Sequence, residues 1–203
     1  GPVFSNEVRE TLKIFSGTDI PIISPTATDN DLTEINGNFF QANPPFGVRG
    51  RLMAQYIYFV ENKRRVAVFN AIEGYSPLLA ENFIREFEKL GGEILLNETY
   101  NSGDISLTET FVNISEYINS IDAIYIPLSD KIDASPVIAE LINRGIELPV
   151  YGNQDWLYTN SLNSSTIIKN NLIFSSDYFI EFNDPDFQDF SKNFYKVTGV
   201  DVN

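Results

Sequence analysis

The chain has 203 residues, 43% of them hydrophobic and 13% aromatic, with no cysteine, no histidine and a formal net charge of -14. That is enough apolar material to bury the core of one large domain or two small ones, and the missing residue types exclude a disulfide framework, the usual zinc and haem sites, thiol nucleophiles and imidazole bases. The acid excess repels nucleic acid and anionic lipid, and no run approaches the ~18 consecutive apolar residues of a membrane helix.

The first predicted element is a helix over 7–15, with Val8, Leu12 and Phe15 at helical spacing and Gly17 as its stop. Ile20-Pro21-Ile22-Ile23 reads as a buried strand ending at Ser24-Pro25. Asn43, Pro44 and Pro45 form a breaker cluster suited to a crossover between lobes, and 50–62 reads as a helix with Leu52, Met53, Tyr56, Ile57 and Val60 on one side. Regular alternation follows. Arg65 to Phe69 is apolar on both faces, as a parallel strand requires. Ser76-Pro77 suggests an N-cap with proline at the first helical position, opening a helix with Leu79, Phe83, Phe87 and Leu90 inward and Gly91-Gly92 as its end. After strand Ile94 to Leu96, Ser106 and Glu109 have capping-box spacing for a helix reaching about Ile118. Strand Ala123 to Ile126, a helix from Ser135-Pro136 to Gly145, and strands Pro149 to Tyr151 and Leu172 to Phe174 complete the series. The last element is a helix with Phe187, Phe190 and Phe194 on one face, ending near Gly199. Strands separated by single helices predict an α/β fold with a doubly wound parallel sheet.

In such a sheet ligands bind outside the carboxyl ends of the strands. The residues there are Ser5, then Ser24 to Thr28, Asn70 to Tyr75, Leu128-Ser129-Asp130, and Gly152-Asn153-Gln154-Asp155-Trp156. Hydroxyls and backbone amides suit a carboxylate, and an acidic side chain suits an ammonium group. Each has a plainer reading: Ser5, Thr28 and Asp155 as helix caps, and Tyr75 as an aromatic covering the core edge. The acidic clusters Asp29-Asn30-Asp31 and Asn183-Asp184-Pro185-Asp186 lack the glycine and closing glutamate of an EF-hand, so no metal site is assigned.

Gly1-Pro2-Val3-Phe4-Ser5, followed by Ile20 to Thr28 with Leu32-Thr33, resembles the paired signatures of the type I periplasmic solute-binding proteins. The resemblance is to the branched-chain amino-acid-binding branch and the related receptor ligand-binding regions. It extends through Arg65 to Tyr75, Phe87 to Gly92, Tyr100 to Asp104, Asp122 to Tyr125 and Pro149 to Trp156. It implies that Ser5 and Thr28 hold a ligand carboxylate, with the main chain at Thr26 in the same grip. It further implies that Tyr75 closes over the ligand and Asp155 takes its ammonium group. Ser129 falls where the branch often has an aromatic wall. By the same resemblance, 1–42 is a partial first lobe, 43–177 a Rossmann-like second lobe and 178–203 the return into the first. It implies a piece of a longer protein, with βα units before Gly1 and helices beyond Val202, and leaves a lipid anchor in the preceding part open.

The function so implied is extracytoplasmic, in the periplasm or outside the cell. The module would bind an amino acid or similar small polar solute, without a cofactor, and serve an ABC transporter or receptor by hinge closure. Its partners would be the small ligand and a membrane permease or sensor; nucleic acid and direct membrane insertion are not expected. The alternative is a ligand-free interaction domain of an envelope lipoprotein with the same fold. An enzyme is not expected, since the chain has neither GxxxxGK[ST] nor GxGxxG and no residues fix a catalytic carboxylate pair.

Overall fold

A computed structural model describes residues 2–159, 171–176 and 181–202. Gly1 and the expected lobe boundary at 177–178 lie outside the described residues. A small unit opens the chain. Helix α1 (Ser5–Ile14) and the short α2 (Leu32–Ile35) pack on the parallel pair β1 (Ile22–Ser24) and β2 (Phe39–Gln41). Val8 and Leu12, one helical turn apart, meet Ile22, Ala27, Leu32 and Phe39 in its core.

The large unit carries α3 (Phe46–Gln55, continued by a π-helical turn, Tyr56–Val60), β3 (Arg65–Ala71), α4 (Ser76–Lys89), β4 (Glu93–Tyr100) and α5 (Ile114–Tyr117). It continues with β5 (Ala123–Tyr125), α6 (Ala134–Asn143), β6 (Val150–Asn153) and β7 (Leu172–Ser175). Its five strands form one sheet in the order β4-β3-β5-β6-β7, every neighbouring pair parallel. The expected doubly wound parallel sheet is therefore present.

Strand alternation decides which layer each side chain joins. Val66, Val68, Tyr125 and Tyr151 face α3 and α4, meeting Met53, Ile57, Phe83 and Phe87. Ala67, Phe69, Ala71, Ile124 and Val150 face the other way, onto Phe111, Ile114, Val137 and Leu141. Complete burial of rings such as Phe83 and Phe87 contributes about 1.5–3 kcal/mol each. The helices α3 and α4 touch at Gly50, where a Cβ would stand 2.4 Å from the Leu79 carbonyl oxygen. Burial pushes the Tyr125 hydroxyl well above the ordinary tyrosine range.

The structure departs from the sequence reading at several points. The helix begins at Phe46, not Gly50, and its buried face is Gly47, Gly50, Met53, Ala54 and Ile57. Leu52 and Val60, expected inward, are 56% and 66% exposed. The wider π turn shifts Val60 off the stripe. The helix expected over 106–118 is mostly turns, with only Ile114–Tyr117 helical, and Ser106 Oγ pairs with Thr108 Oγ1 at 3.1 Å instead of closing a capping box. Ser76 does not cap α4. Its Oγ is buried, accepts from the Ala71 N–H at 3.0 Å and donates to the Pro127 carbonyl, fastening the turn after β3 to the segment after β5. Ahead of α6, it is Asp130 that accepts from the Ile132 N–H at 3.0 Å.

The final helix, α7 (Pro185–Thr198), is capped as its sequence asks: Asp184 accepts from Asp186 and Phe187 N–H groups, Pro185 opens it, and Gly199 closes it at φ 71°. Asp184 in the second acidic cluster thus serves a helix start. No residue of α7 is buried, and Phe190 is 55% exposed.

Candidate functional site

Strand β3 sends the chain to β4 on one side and later to β5 on the other, so the order reverses between β3 and β5. A crevice opens at such a point, at the carboxyl ends of the strands. Three of the expected residues stand there, each on the loop after its strand: Tyr75 after β3, Ser129 after β5 and Asp155 after β6.

Asp155 is placed by its neighbours. Gly152 at the end of β6 has no side chain, and the Trp156 indole fills that space, its N–H donating to the Ile126 carbonyl at 2.9 Å. This turns the 3-10 segment Gln154–Tyr158 across the strand end. Asn153, buried beneath it, pairs both ways with the Leu128 backbone, accepting its N–H at 2.8 Å and donating to its carbonyl at 2.9 Å. The Asn153 amide also donates to Asp155 Oδ2 at 2.7 Å. Tyr75 OH donates to the same carboxylate oxygen. Asp155 is therefore a fixed acceptor, held by a tyrosine and an amide.

Tyr75 is placed by Ser129. Ser129 Oγ donates to the Glu73 carbonyl at 2.5 Å and accepts from the Ser76 N–H at 3.3 Å, clasping the loop on both sides of Tyr75. Gly74 lies at φ 70°, and a Cβ there would come within 2.7 Å of Ser129 Oγ. The turn thus requires glycine both for conformation and for room.

The hydroxyl-bearing turns lie on the small unit. Ser5 Oγ accepts from the backbone N–H groups of Thr28 and Asp29, each at 3.3 Å, which brings the two expected carboxylate-binding residues together. Thr26 Oγ1 donates to the Val3 carbonyl, and Ser24 Oγ to the Pro2 carbonyl at 2.8 Å, so the opening segment is tied to the same turn. Beside it, Arg9 grips Asp31 through two nitrogens, at 2.8 and 2.6 Å, and Asp29 at 2.9 Å. Its hydrogen bonds, from Arg9 above all, hold the Asp31 carboxyl below the usual range. The first acidic cluster is thus joined to an arginine.

The two groups meet through Phe46, which the sequence reading passed over. Its N–H donates to the Thr28 carbonyl at 3.2 Å, and its ring lies flat on Tyr75, centroids 4.4 Å apart and planes within 1°. One step along α3, the Gly47 N–H donates to Asn30 Oδ1 at 3.0 Å. A continuous path therefore runs from Ser5 through Thr28, Phe46 and Tyr75 to Asp155. Asn153 was also missed as a supporting residue; its place at the carboxyl end of β6 was its one signal.

No protein-family model matches the chain, and no curated protein does. Solved structures do. A branched-chain amino acid ABC transporter protein from Rhodospirillum rubrum superposes with a TM-score of 0.81 at 23% identity, over 99% of this chain and 57% of that one. The branched-chain amino acid substrate-binding protein LivJ of Streptococcus pneumoniae, solved with isoleucine, gives 0.70 at 19% identity over the same shares. A solute-binding protein of R. palustris, solved with benzoate, gives 0.69 at 17%, over 99% of this chain and 55% of that one. The chain has the type I periplasmic binding-protein fold and spans little more than half the length of the structures it resembles. Those neighbours are substrate-binding proteins, and among the described residues no helix is long and apolar enough to cross a membrane.

Proposed function

We propose that the protein is an extracytoplasmic solute-binding module for an amino acid or similar small polar solute, and not an enzyme. It serves an ABC transporter or a receptor, and hinge closure of two lobes signals occupancy. Residues 1–42 and 178–203 belong to one lobe and 43–177 to the other. Ser5 and Thr28 take the ligand carboxylate together with the main chain at Thr26, Tyr75 covers the ligand, and Asp155 takes the ammonium group.

The observation that carries this reading is the run of contacts from Ser5 and Thr28 through Phe46 to Tyr75 and Asp155, which joins the hydroxyl-bearing turn of the small unit to the residues after β3 and β6. Neither Ser5 nor Thr28 donates its hydroxyl proton to any acceptor within the described residues, as a carboxylate site needs. Ser129 supports this site by holding Tyr75.

The test is calorimetry and thermal shift with the twenty amino acids. A ligand that raises the melting temperature of the protein and leaves the Ser5→Ala/Thr28→Ala double variant unchanged supports the reading. Silence across the whole panel contradicts it. A protein-contact scaffold is the second reading, favoured by the apolar cavity of about 600 Å3 lined by Leu52, Met53, Phe59, Val60, Ile173 and Phe174. It predicts that the double variant keeps full function in the cell.

A further inference from the structure

We propose that the ligand's side chain is uncharged and polar, an amide or a hydroxyl, and not a branched hydrocarbon. This rests on the amino-acid reading above and goes beyond it by naming the class of side chain.

The argument starts from the cavity of about 300 Å3 beside the Tyr75–Asp155 pair, at the carboxyl ends of β5 and β6. Its lining is Ser129, Asp130, Lys131 and Asp155, with no aliphatic or aromatic side chain. Position 129 is small because Ser129 clasps the Glu73–Ser76 turn, and the glycine facing it adds no bulk. Of the aromatic rings nearest the site, Phe46 and Tyr75 each give one face to the stack they make with each other, and Arg49 lies over the Phe46 ring at 4.7 Å. The apolar cavity on the flank of α3 and β7 shares no residue with this one. A leucine side chain docked beside Asp155 would therefore meet a lysine and two carboxylates, desolvating them without returning a hydrogen bond.

A neutral group that both donates and accepts matches the same wall. A carboxamide oxygen can accept from the Lys131 ammonium while its NH2 donates to a carboxylate. The Asp130 carboxylate is steadied for this by the Ile132 N–H on its Oδ1. An acidic side chain would gain Lys131 but meet Asp130 and Asp155, and a basic one would meet the reverse conflict at Lys131. Sites that hydrogen-bond a ligand group discriminate strongly against analogues lacking it, because their own polar groups are left unpaired.

Calorimetry on the intact protein tests this with L-glutamine, L-asparagine, L-serine and L-threonine against L-leucine, L-valine, L-glutamate and L-lysine. The expected result is that an amide or hydroxyl amino acid binds at least ~10-fold more tightly than leucine. Lys131→Met, at an exposed position, should abolish that margin by weakening the amide or hydroxyl amino acid, with leucine bound no less tightly than before. Tightest binding by leucine, valine or a charged amino acid overturns the inference while leaving the solute-binding reading intact, and so does a margin that survives Lys131→Met. No binding by any of the eight overturns the inference, and silence across the other twelve amino acids as well removes the amino-acid reading with it.

Discussion

Replacing Asn153 by alanine removes the amide that ties β6 to the segment after β5. The residue is 4% exposed and makes two hydrogen bonds with the Leu128 backbone, at 2.8 and 2.9 Å. Alanine leaves that N–H and carbonyl without partners in a buried place, each at a cost of about 1–3 kcal/mol, so the sum lies near 3 kcal/mol if the strand ends relax. Its third bond, to Asp155, is half-buried and adds less. With a urea slope of about 2 kcal/mol/M, the unfolding midpoint should fall by roughly 1.5 M. The assay is equilibrium unfolding followed by tryptophan fluorescence. Trp156 is the sole tryptophan of the chain, fully buried and hydrogen-bonded to the Ile126 carbonyl, so the signal reports on this end of the sheet. A midpoint within 0.3 M of the parent protein (about 0.6 kcal/mol at that slope) would refute the claim that the Asn153–Leu128 pair holds the platform of the site.

Gly50→Ala forces a methyl group to within 2.4 Å of the Leu79 carbonyl oxygen, at the contact of α3 and α4. Overpacking of about 1–3 kcal/mol should outweigh the ~1 kcal/mol gained in helix propensity, and a rise in melting temperature would contradict the packing described here. Acid unfolding should involve Asp122. Partial burial alone would raise its pKa, but the Arg65 side chain and the Arg64 and Arg65 N–H groups outweigh that and hold the carboxyl below its ordinary value. The stability it contributes is complete above the unfolded carboxyl pKa, about 3.9, and is lost as pH falls below that through the lower folded value. Asp122→Asn should therefore lower stability at neutral pH and flatten the loss below about pH 4 in urea midpoints taken across pH. An unchanged acid limb would show that the group is not linked to folding.

Much of the sheet was legible because parallel strands covered on both faces need apolar residues at successive positions, and Val66 to Phe69 or Ala123 to Ile126 offer little else. The carboxyl-edge rule then led from chain order to the stretches that hold Tyr75, Ser129 and Asp155, and the family resemblance singled out those three within them. Contacts across the chain were not legible. Phe46 follows two prolines and resembles the end of a breaker, yet its meaning comes from Tyr75, which lies flat against it. Strand β2 has three residues and draws its register from β1. The capping spacing of Ser106 and Glu109 suggested a helix, but Thr108, Thr110, Val112 and Asn113 are weak helix formers, and burial of Leu107 and Phe111 is achieved by turns. Along α3 the eye falls on Leu52 and Val60, whereas the face toward α4 is set by Gly50, whose missing side chain permits the close approach, and Gly47 leaves room for the Asn30 side chain. The exposed aromatic face of α7 matched its helical spacing, but spacing names a face and not what covers it.

The most direct measurement is an amide-resolved NMR titration of the protein with the tightest amino acid found by calorimetry. Shifts should appear together at Thr26, Thr28 and Phe46 on one side of the crevice, and at Gly74, Tyr75, Asn153 and Asp155 on the other. They should saturate at one shared concentration. Shifts confined to one of these groups, or gathered instead at Leu52, Phe59 and Phe174 on the apolar flank, would contradict a ligand held between them.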